Sequence, residues 1–463
     1  MDRFTVAGVL TQVQEFFSIN DAQAGLLQTV FTVFYMFVAP LCGFLGDRCN
    51  RKWTMTVGIA IWILSVLASS FVPKNMFWLF LLLRGVVGIG EASYATIAPT
   101  IIADLYTSSM RSRALMIFYF AIPVGSGLGY MTSSNISSWL KSWQWGVRVT
   151  PFLGVICIFL IIVIMKEPKR GEAETINRSE DSNNNIKTSY WQDIKEISKI
   201  PTYVYSTLAY TSVVFVTGTL SWWGPAAVEH STAMSNNLNS TNDLSSDEKN
   251  SIAFNFGLIT VAGGILGVSA GSFLAQLWSQ GKWCCKPIQS VRSNALICAF
   301  GSLFAVPCLF ASLHLTSTDI GLAWVFFFLT IVLLCMNWAI NVDMLLDIIV
   351  PERRSIANSW QILISHLFGD ASGPYIIGLV SDWIRGSNNG PSASSKSLIK
   401  AFYIPNVILI ISVALFCSAA AFFVRDREIF LQKMGYSKSA TRSASYNGKN
   451  VSIKNGEVNN AYY

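Results

Sequence analysis

A succession of long apolar segments is the feature that most constrains the fold of this 463-residue chain. A helix that crosses a bilayer needs about 20 mainly apolar residues, because the hydrocarbon core is about 30 Å thick. Segments of this length lie at 22–45, 53–72, 76–103, 112–137, 146–165, 202–228, 251–278, 293–315, 321–349, 356–384 and 401–424. The chain is 52% hydrophobic and only 13% charged, which argues against a soluble globular protein. The sequence therefore predicts an all-α membrane protein.

A shorter apolar segment precedes these eleven. It begins with Asp2-Arg3 and continues FTVAGVL, without the basic start and long apolar core of a signal peptide. We interpret it as the second half of a first helix that is truncated at Met1. The resulting total of twelve is the number expected for a transporter that is built from two six-helix halves.

Polar segments divide the chain into four parts. The N-terminal helical half is predicted at 1–165 and the C-terminal half at 202–424. Between them, residues 166–201 form a polar linker, in which 190–200 are expected to fold as a short helix. The segment 425–463, rich in Ser, Asn and Lys, is predicted to be a disordered tail.

The basic residues orient these halves. Most of the 33 Lys and Arg lie in alternate loops, which include the linker and the C-terminal tail. Because cytoplasmic loops carry the excess of Lys and Arg, both segments are expected in the cytosol. Topology thus explains the net charge of +7, and no nucleic-acid partner is expected. On the opposite side, Asn239 and Asn135 begin Asn-x-Ser/Thr sequons and are candidate glycosylation sites, Asn239 being the better one.

A charged motif joins the second and third predicted helices. The segment GFLGDRCNRK supplies Gly43, Asp47, Arg48, Arg51 and Lys52. It resembles the signature loop of the major facilitator superfamily, which implies a cytosolic conformational latch. The alternative is that the charges serve topology alone.

An internal repeat adds further residues to this candidate latch. An acid, an arginine and an alanine occur twice with the same spacing, as Asp104, Arg111 and Ala114 and as Asp347, Arg354 and Ala357. Both sets follow the fourth helix of their half, so Asp104 could pair with the basic latch residues. The repeat supports a fold of two related halves.

Ionisable residues at membrane depth are candidate functional residues, because burying charge in lipid is costly. The N-terminal half contains Asp2 and Arg3 on the first helix and Arg84 and Glu91 on the fourth. Arg84 and Glu91 are seven residues apart, so they lie on one helical face.

The C-terminal half contributes a second set of such residues. It contains Asp343, Asp347, His366 and Asp370. The i, i+4 spacing of His366 and Asp370 allows a hydrogen bond between them.

Two interpretations of these charges stay open. The residues could form buried salt bridges that hold helices together, as Asp2–Arg84 or Arg3–Glu91 pairs. Alternatively, the arginines could anchor an anionic headgroup, while Glu91, Asp2, His366, Asp370 and Asp343 carry or gate protons. Nothing in the sequence matches a phosphate loop, a dinucleotide site, a nucleophile elbow or a metal-ligand spacing. We therefore expect no enzyme activity, no cofactor and no metal.

Longer motifs identify a family resemblance that runs from residue 2 to about 384. They are MDRFTVAGVL, GFLGDRCNRK, RGVVGIGEASYATIAPTIIADL, RSRALMIFYFAIPVGSGLGY, NWAINVDMLL and ISHLFGDASGPYIIGLVSD. In this order they resemble the spinster family of lipid transporters, within the major facilitator superfamily. The resemblance implies a charged site at Asp2, Arg3, Arg84 and Glu91, and a coupling or gating role for His366.

The same resemblance implies a secondary active transporter of sphingolipids or lysophospholipids, similar to carriers of sphingosine 1-phosphate or lysophosphatidylcholine. Proton coupling, alternating access, a monomeric state and a late endosomal or lysosomal membrane, favoured over the plasma membrane, are expected on this basis. One alternative is a major facilitator symporter of a small organic metabolite. Another is a non-transporting endolysosomal lipid sensor or scaffold.

Overall fold

The fold is a bundle of long helices. The computed structural model describes residues 1–105, 108–165, 167, 190–238, 240–281, 289–350, 353–387, 390–433, 451–454 and 457–460. Nine helical stretches within these ranges are long and apolar enough to span a membrane. In the described residues, the only strands form an antiparallel hairpin of β1 (Val451–Lys454) and β2 (Glu457–Asn460). The predicted all-α membrane class is confirmed.

The N-terminal half begins with a broken helix. Its helices are α1 (Asp2–Ala7), α2 (Leu10–Phe17), α3 (Asp21–Arg48), α4 (Arg51–Ser69), α5 (Phe77–Leu105), α6 (Ser108–Trp139) and α7 (Trp143–Ile164). The break between α1 and α2 lies at Gly8, where a side chain would collide with Ser133 and the backbone of Tyr130 on α6. A capping box of Asn20 and Gln23 then starts α3.

The C-terminal half follows the short linker helix α8 (Tyr190–Ile197), which lies within the segment expected to be helical. Its helices are α9 (Pro201–Ser235), α10 (Ser246–Gln280), α11 (Ser293–Leu315), α12 (Ile320–Leu346), α13 (Arg354–Ser365), α14 (Gly373–Arg385), α15 (Pro391–Ala401) and α16 (Tyr403–Lys433). A π-helical turn at His366–Asp370 joins α13 to α14. The span expected at 356–384 is therefore not one regular α-helix.

Two helices extend furthest beyond their predicted C-terminal ends, because polar residues at those ends are buried by tertiary contacts. Helix α9 continues past 228, and its Glu229 is only 5% exposed. Helix α16 continues past 424, so the tail predicted to be disordered from 425 begins with helix. There the buried Asp426 carboxylate accepts from the backbone N and Oγ1 of Thr202, at 2.9 and 2.7 Å, and so caps the start of α9.

The two halves meet along two helix pairs, α3 with α14 and α6 with α10. Glycines allow the backbones to approach closely, since a side chain on Gly25 would collide with Pro374, and one on Gly127 with Gly257. We call the two ends of the bundle the Asp21 end, where α3 begins, and the Arg51 end, where α4 begins.

Candidate functional site

A buried ion pair anchors the broken first helix to the N-terminal half. Arg84 Nη1 on α5 donates to Asp2 Oδ2 on α1 at 3.1 Å, and the two residues are 2% and 5% exposed. Thr150 Oγ1 on α7 donates to the other carboxylate oxygen at 3.1 Å. Because the carboxylate has partners on both oxygens, Asp2 and Arg84 form a fixed, satisfied pair.

A second ion pair connects the halves. Arg3 Nη1 on α1 donates to Asp370 Oδ2 at 3.3 Å, so its partner is not Glu91. The same carboxylate lies 3.0 Å from His366 Nδ1, which forms the i, i+4 pair that the spacing allowed. Asp370 therefore links a cation of the N-terminal half to a histidine of the C-terminal half.

The π-helical turn explains why Asp370 reaches Arg3. Its defining bond runs from the backbone N of Ala371 to the carbonyl of His366 at 3.0 Å, five residues back. The widened turn presses Asp370 against Gly218 of α9, where any side chain would collide with the Asp370 Cβ. Gly218 is thus a supporting residue of the site that sequence reasoning missed.

The two arginines share one aromatic ring. Their guanidinium carbons lie 4.6 Å (Arg3) and 5.9 Å (Arg84) from the ring centroid of Phe31 on α3. Such contacts attract a cation to the ring face and favour one orientation of its planar group. Among the described residues, Arg3 Nε has no hydrogen-bond partner although it is buried. The site therefore holds two guanidinium groups close together, one of them with a spare donor.

Glu91 lies near this cluster without joining it. It is partly buried, and the described residues place no basic side chain within 4.0 Å of its carboxylate. Its charge acts on Arg3 at longer range. Two further acids lie elsewhere, Asp343 exposed and Asp347 partly exposed at the end of α12. The structure therefore brings together Asp2, Arg3, Arg84, His366 and Asp370, with Glu91 beside them.

The latch motif is described only in part. Gly43 lies within α3, and Lys52 Nζ donates to the carbonyl of Ile162 on α7 at 2.8 Å. Arg51 is buried, and its backbone N donates to Glu167 Oε1 at 3.0 Å. The side chains of the other predicted latch residues lie outside the described residues, namely Asp47, Arg48, Asp104, Arg111 and Arg354.

One of the two candidate glycosylation sites lies within the described residues. Asn135 is exposed on α6, where its Nδ2 donates to the carbonyl of Met131 at 2.7 Å. Asn239 lies outside the described residues. Within the described part of the chain, no group of three His, Cys, Asp or Glu residues could hold a metal ion.

A polar network that sequence reasoning missed closes the Asp21 end. Asp21 Oδ2 on α3 accepts from Arg385 Nη1 and Ser381 Oγ on α14, both at 2.9 Å. Its other oxygen accepts from Gln14 Nε2 of α2 at 2.8 Å. In return, Asp382 of α14 accepts from the backbone N of Ala22 at 2.8 Å. We call these contacts the Asp21 network; they join the halves at this end of the bundle.

Gly378 allows α14 to close against α3, because a side chain there would collide with the backbone carbonyl of Asp21. We expect Gly378→Val to push the helices apart and to break the Asp21 network. A cysteine placed at Ser381 should then react faster with a water-soluble maleimide than in the parent. Gly386→Ala is the control, because nothing lies within 4 Å of a side chain there, although its positive φ adds local strain. Equal labelling in the Gly378 variant and the parent would contradict this role.

Comparisons with known proteins agree with this architecture. Residues 1–374 match the model of the Major Facilitator Superfamily. Protein spinster homolog 1 of Mus musculus is 47% identical over 389 residues, which are 84% of this chain and 71% of the relative. The sphingosine-1-phosphate transporter SPNS2 of Xenopus tropicalis is 40% identical over 429 residues, or 92% of this chain and 80% of the relative.

Solved structures show the same fold. A bacterial homolog of the human lysosomal transporter spinster, crystallised in an inward-facing and unoccupied conformation, matches with a TM-score of 0.76 at 20% identity. The match covers 92% of this chain and 94% of the bacterial one. The D-xylose-proton symporter matches with a TM-score of 0.64 at 14% identity, over 89% and 93% of the two chains. By the family model and these relatives, this chain is a membrane transporter rather than an enzyme and belongs to the spinster family of the major facilitator superfamily.

Proposed function

We propose that this protein is a proton-coupled secondary transporter of a single-chain lipid with an anionic or zwitterionic headgroup, of the sphingolipid or lysophospholipid class. The observation that carries the proposal is the pair of guanidinium groups on Phe31, one fixed by Asp2 and the other held by the shared carboxylate of Asp370. The name of the SPNS2 relative, a sphingosine-1-phosphate transporter, supports a lipid with a phosphate headgroup.

The two arginines would have different tasks. Arg84 is almost fully buried with Asp2, so it supplies a fixed positive charge. The Arg3 side chain is 18% exposed, makes one longer bond to Asp370 and has its Nε unused. A phosphate oxygen can therefore reach Arg3 and bond its planar group, replacing Asp370 as the anion at that position.

Proton coupling would follow from this replacement. When the headgroup binds Arg3, the Asp370 carboxylate keeps only His366 among its described side-chain partners. An anion at this depth is costly unless it is paired, so a headgroup on Arg3 would favour proton uptake by Glu91, whose charge acts on Arg3, or else by His366 or Asp370. The side chain of His366 is 33% exposed against 9% for Asp370, so His366 is the more accessible of the two.

Alternating access would use the two ends of the bundle. We place the Asp21 end on the non-cytosolic side, because the basic loops of the sequence lie at the other end. The Asp21 network would then form the closed gate of a state that loads from the cytosol. Opening that gate while the Arg51 end closes would export the lipid, which suits an endolysosomal or a surface membrane.

Flux in proteoliposomes tests the proposal. Purified protein would be reconstituted with an imposed pH gradient and offered sphingosine 1-phosphate, lysophosphatidylcholine, a sugar and an organic acid in parallel. We expect flux of at least one lipid that exceeds protein-free vesicles and grows with the gradient. Flux of the small metabolites alone would favour the symporter alternative, and binding of lipid without flux would favour a sensor or scaffold.

Glu91 provides a test of the coupling step. Glu91→Gln imitates the protonated acid, so we expect lipid binding to survive while the dependence of flux on the pH gradient is lost. The measurement is initial flux with and without the gradient in the variant and the parent. Glu15→Gln, a substitution of the same kind in α2, serves as the control. If flux in the Glu91 variant still follows the gradient as in the parent, His366 and Asp370 become the coupling groups.

A further inference from the structure

Glu229 is a buried acid that the proposed headgroup site does not use. It lies on α9 of the C-terminal half, is 5% exposed, and accepts from Thr11 Oγ1 on α2 of the N-terminal half at 2.6 Å. This bond crosses between the halves at the same end as the Asp21 network. Within the described part of the chain, no cationic group lies within 4.0 Å of its carboxylate.

The charges around Glu229 do not neutralise it. Lys249 on α10 attracts it from beyond ion-pair distance and donates at 3.4 Å to the carbonyl of Asn242. Glu15 on α2 repels it and accepts at 2.7 Å from Ser240 Oγ. The next residue, His230, faces the Asp21–Arg385 pair, and its buried Nδ1 has no hydrogen-bond partner in the described structure.

Closure of the halves therefore creates an unfavourable setting for an anion. In the closed state the Glu229 carboxylate is removed from water and has one neutral donor, whereas a neutral carboxylic acid tolerates such a site. If α2 and α9 separate, water reaches the carboxylate and the charged form becomes less costly. The geometry points to Glu229 as a proton-binding site at the junction of the halves, which binds a proton when the Asp21 end closes and releases it when that end opens.

Linkage gives the direction of the effect. The closed state binds more protons than the open state, so acid stabilises closure at the Asp21 end. This follows from burial and requires no lipid. Only the assignment of the proton source to the non-cytosolic compartment rests on the proposed function. An acidic compartment on that side would return the emptied transporter to its cytosol-loading state.

Distance measurements between the halves test the inference without transport. Spin labels would be attached to Asn75→Cys and Ser387→Cys, both exposed at the Asp21 end, after replacement of the nine native cysteines. Pulsed dipolar spectroscopy on the full chain in nanodiscs would report the fraction of molecules with separated labels. In the parent, we expect this fraction to fall several-fold between about pH 7.5 and about pH 5.5. In Glu229→Gln it should be low at both pH values.

Two further variants separate Glu229 from its surroundings. Glu15→Gln changes a neighbouring acid in the same way and should keep a response to pH, with its midpoint at lower pH because a repelling charge is gone. Thr11→Val removes the single donor but keeps the acid, so the response should remain with its midpoint at higher pH. A parent-like response in Glu229→Gln, or an equal loss in Glu15→Gln, would overturn the inference. If the parent shows these distance responses but no lipid flux in proteoliposomes, the proposed function is rejected and the inference about Glu229 stands.

Discussion

Arg84→Met is expected to abolish transport and to lower the free energy of unfolding by about 3–5 kcal/mol. In the parent, the Asp2 carboxylate is paired with the Arg84 cation. The substitution leaves this carboxylate buried with a single neutral donor, the Thr150 hydroxyl. It also removes the fixed positive charge on which we expect the headgroup to depend. The measurements are lipid flux in proteoliposomes and thermal or denaturant unfolding in detergent.

A double variant separates the two effects. Asp2→Asn combined with Arg84→Met removes the stranded charge, so most of the lost stability should return while transport stays absent. Arg148→Met is the matched control, because Arg148 donates to Ser70 Oγ at 2.9 Å and packs on Phe71, away from Asp2. If the single variant unfolds like the parent, the buried pair does not stabilise the bundle.

Arg3→Ala should reduce lipid flux by about 10- to 100-fold, since a charge-assisted hydrogen bond contributes about 1.5–3 kcal/mol. Arg3→Lys keeps the charge but loses the planar group and the Nε donor, so its flux should lie between that of the parent and that of Arg3→Ala. Because the Arg3 side chain is 18% exposed, the loss of stability should be smaller than for Arg84. Initial flux as a function of lipid concentration would measure both variants.

The controls for Arg3 are its partner and a distant arginine. Asp370→Asn also breaks the link to α1, but it leaves both guanidinium groups available, so lipid binding should persist. Arg148→Ala removes a guanidinium outside the site and should leave flux unchanged. Full flux in Arg3→Ala would remove Arg3 from the mechanism.

The helices, the charged residues and two of the three pairings in the central site could be predicted from the sequence, whereas the contact between Arg3 and Asp370 could not. Apolar segments of membrane-spanning length predicted the helical class, and the expense of intramembrane charge singled out Arg3 and Asp370. Their contact joins residues 367 positions apart through a π-helical turn. The sequence offered Glu91 of the same half as the partner of Arg3 instead, because nothing in the sequence pattern reveals the widened turn.

Polar residues at helix ends were missed for a different reason. Hydropathy ends a predicted span at the first strongly polar residue, so Glu229 was assigned to a loop and Asp21 to the edge of a helix. Both are buried by contacts from the other half, and a local sequence pattern does not reveal contacts between distant segments. The relevant signal was weak but present, since an acid that follows the apolar helix formers of α9 can continue the helix.

The π-helical turn at His366–Asp370 links the winding of one helix to both the central charged site and the Asp21 end. Each residue of an α-helix advances the side chains by about 100°, so the extra residue of the turn reorients everything that follows it. Deleting one residue there would restore a regular helix and rotate Ser381 and Arg385 away from Asp21, although none of the three had been altered. Conversely, a shift of the widened turn by one position along the helix would move Asp370 relative to Arg3. It would also rotate Ser381 and Arg385 at the Asp21 end. A local change of winding at the centre can thus rotate the following helix segment about its own axis. The contacts of the Asp21 network would then open without any bend in the helix.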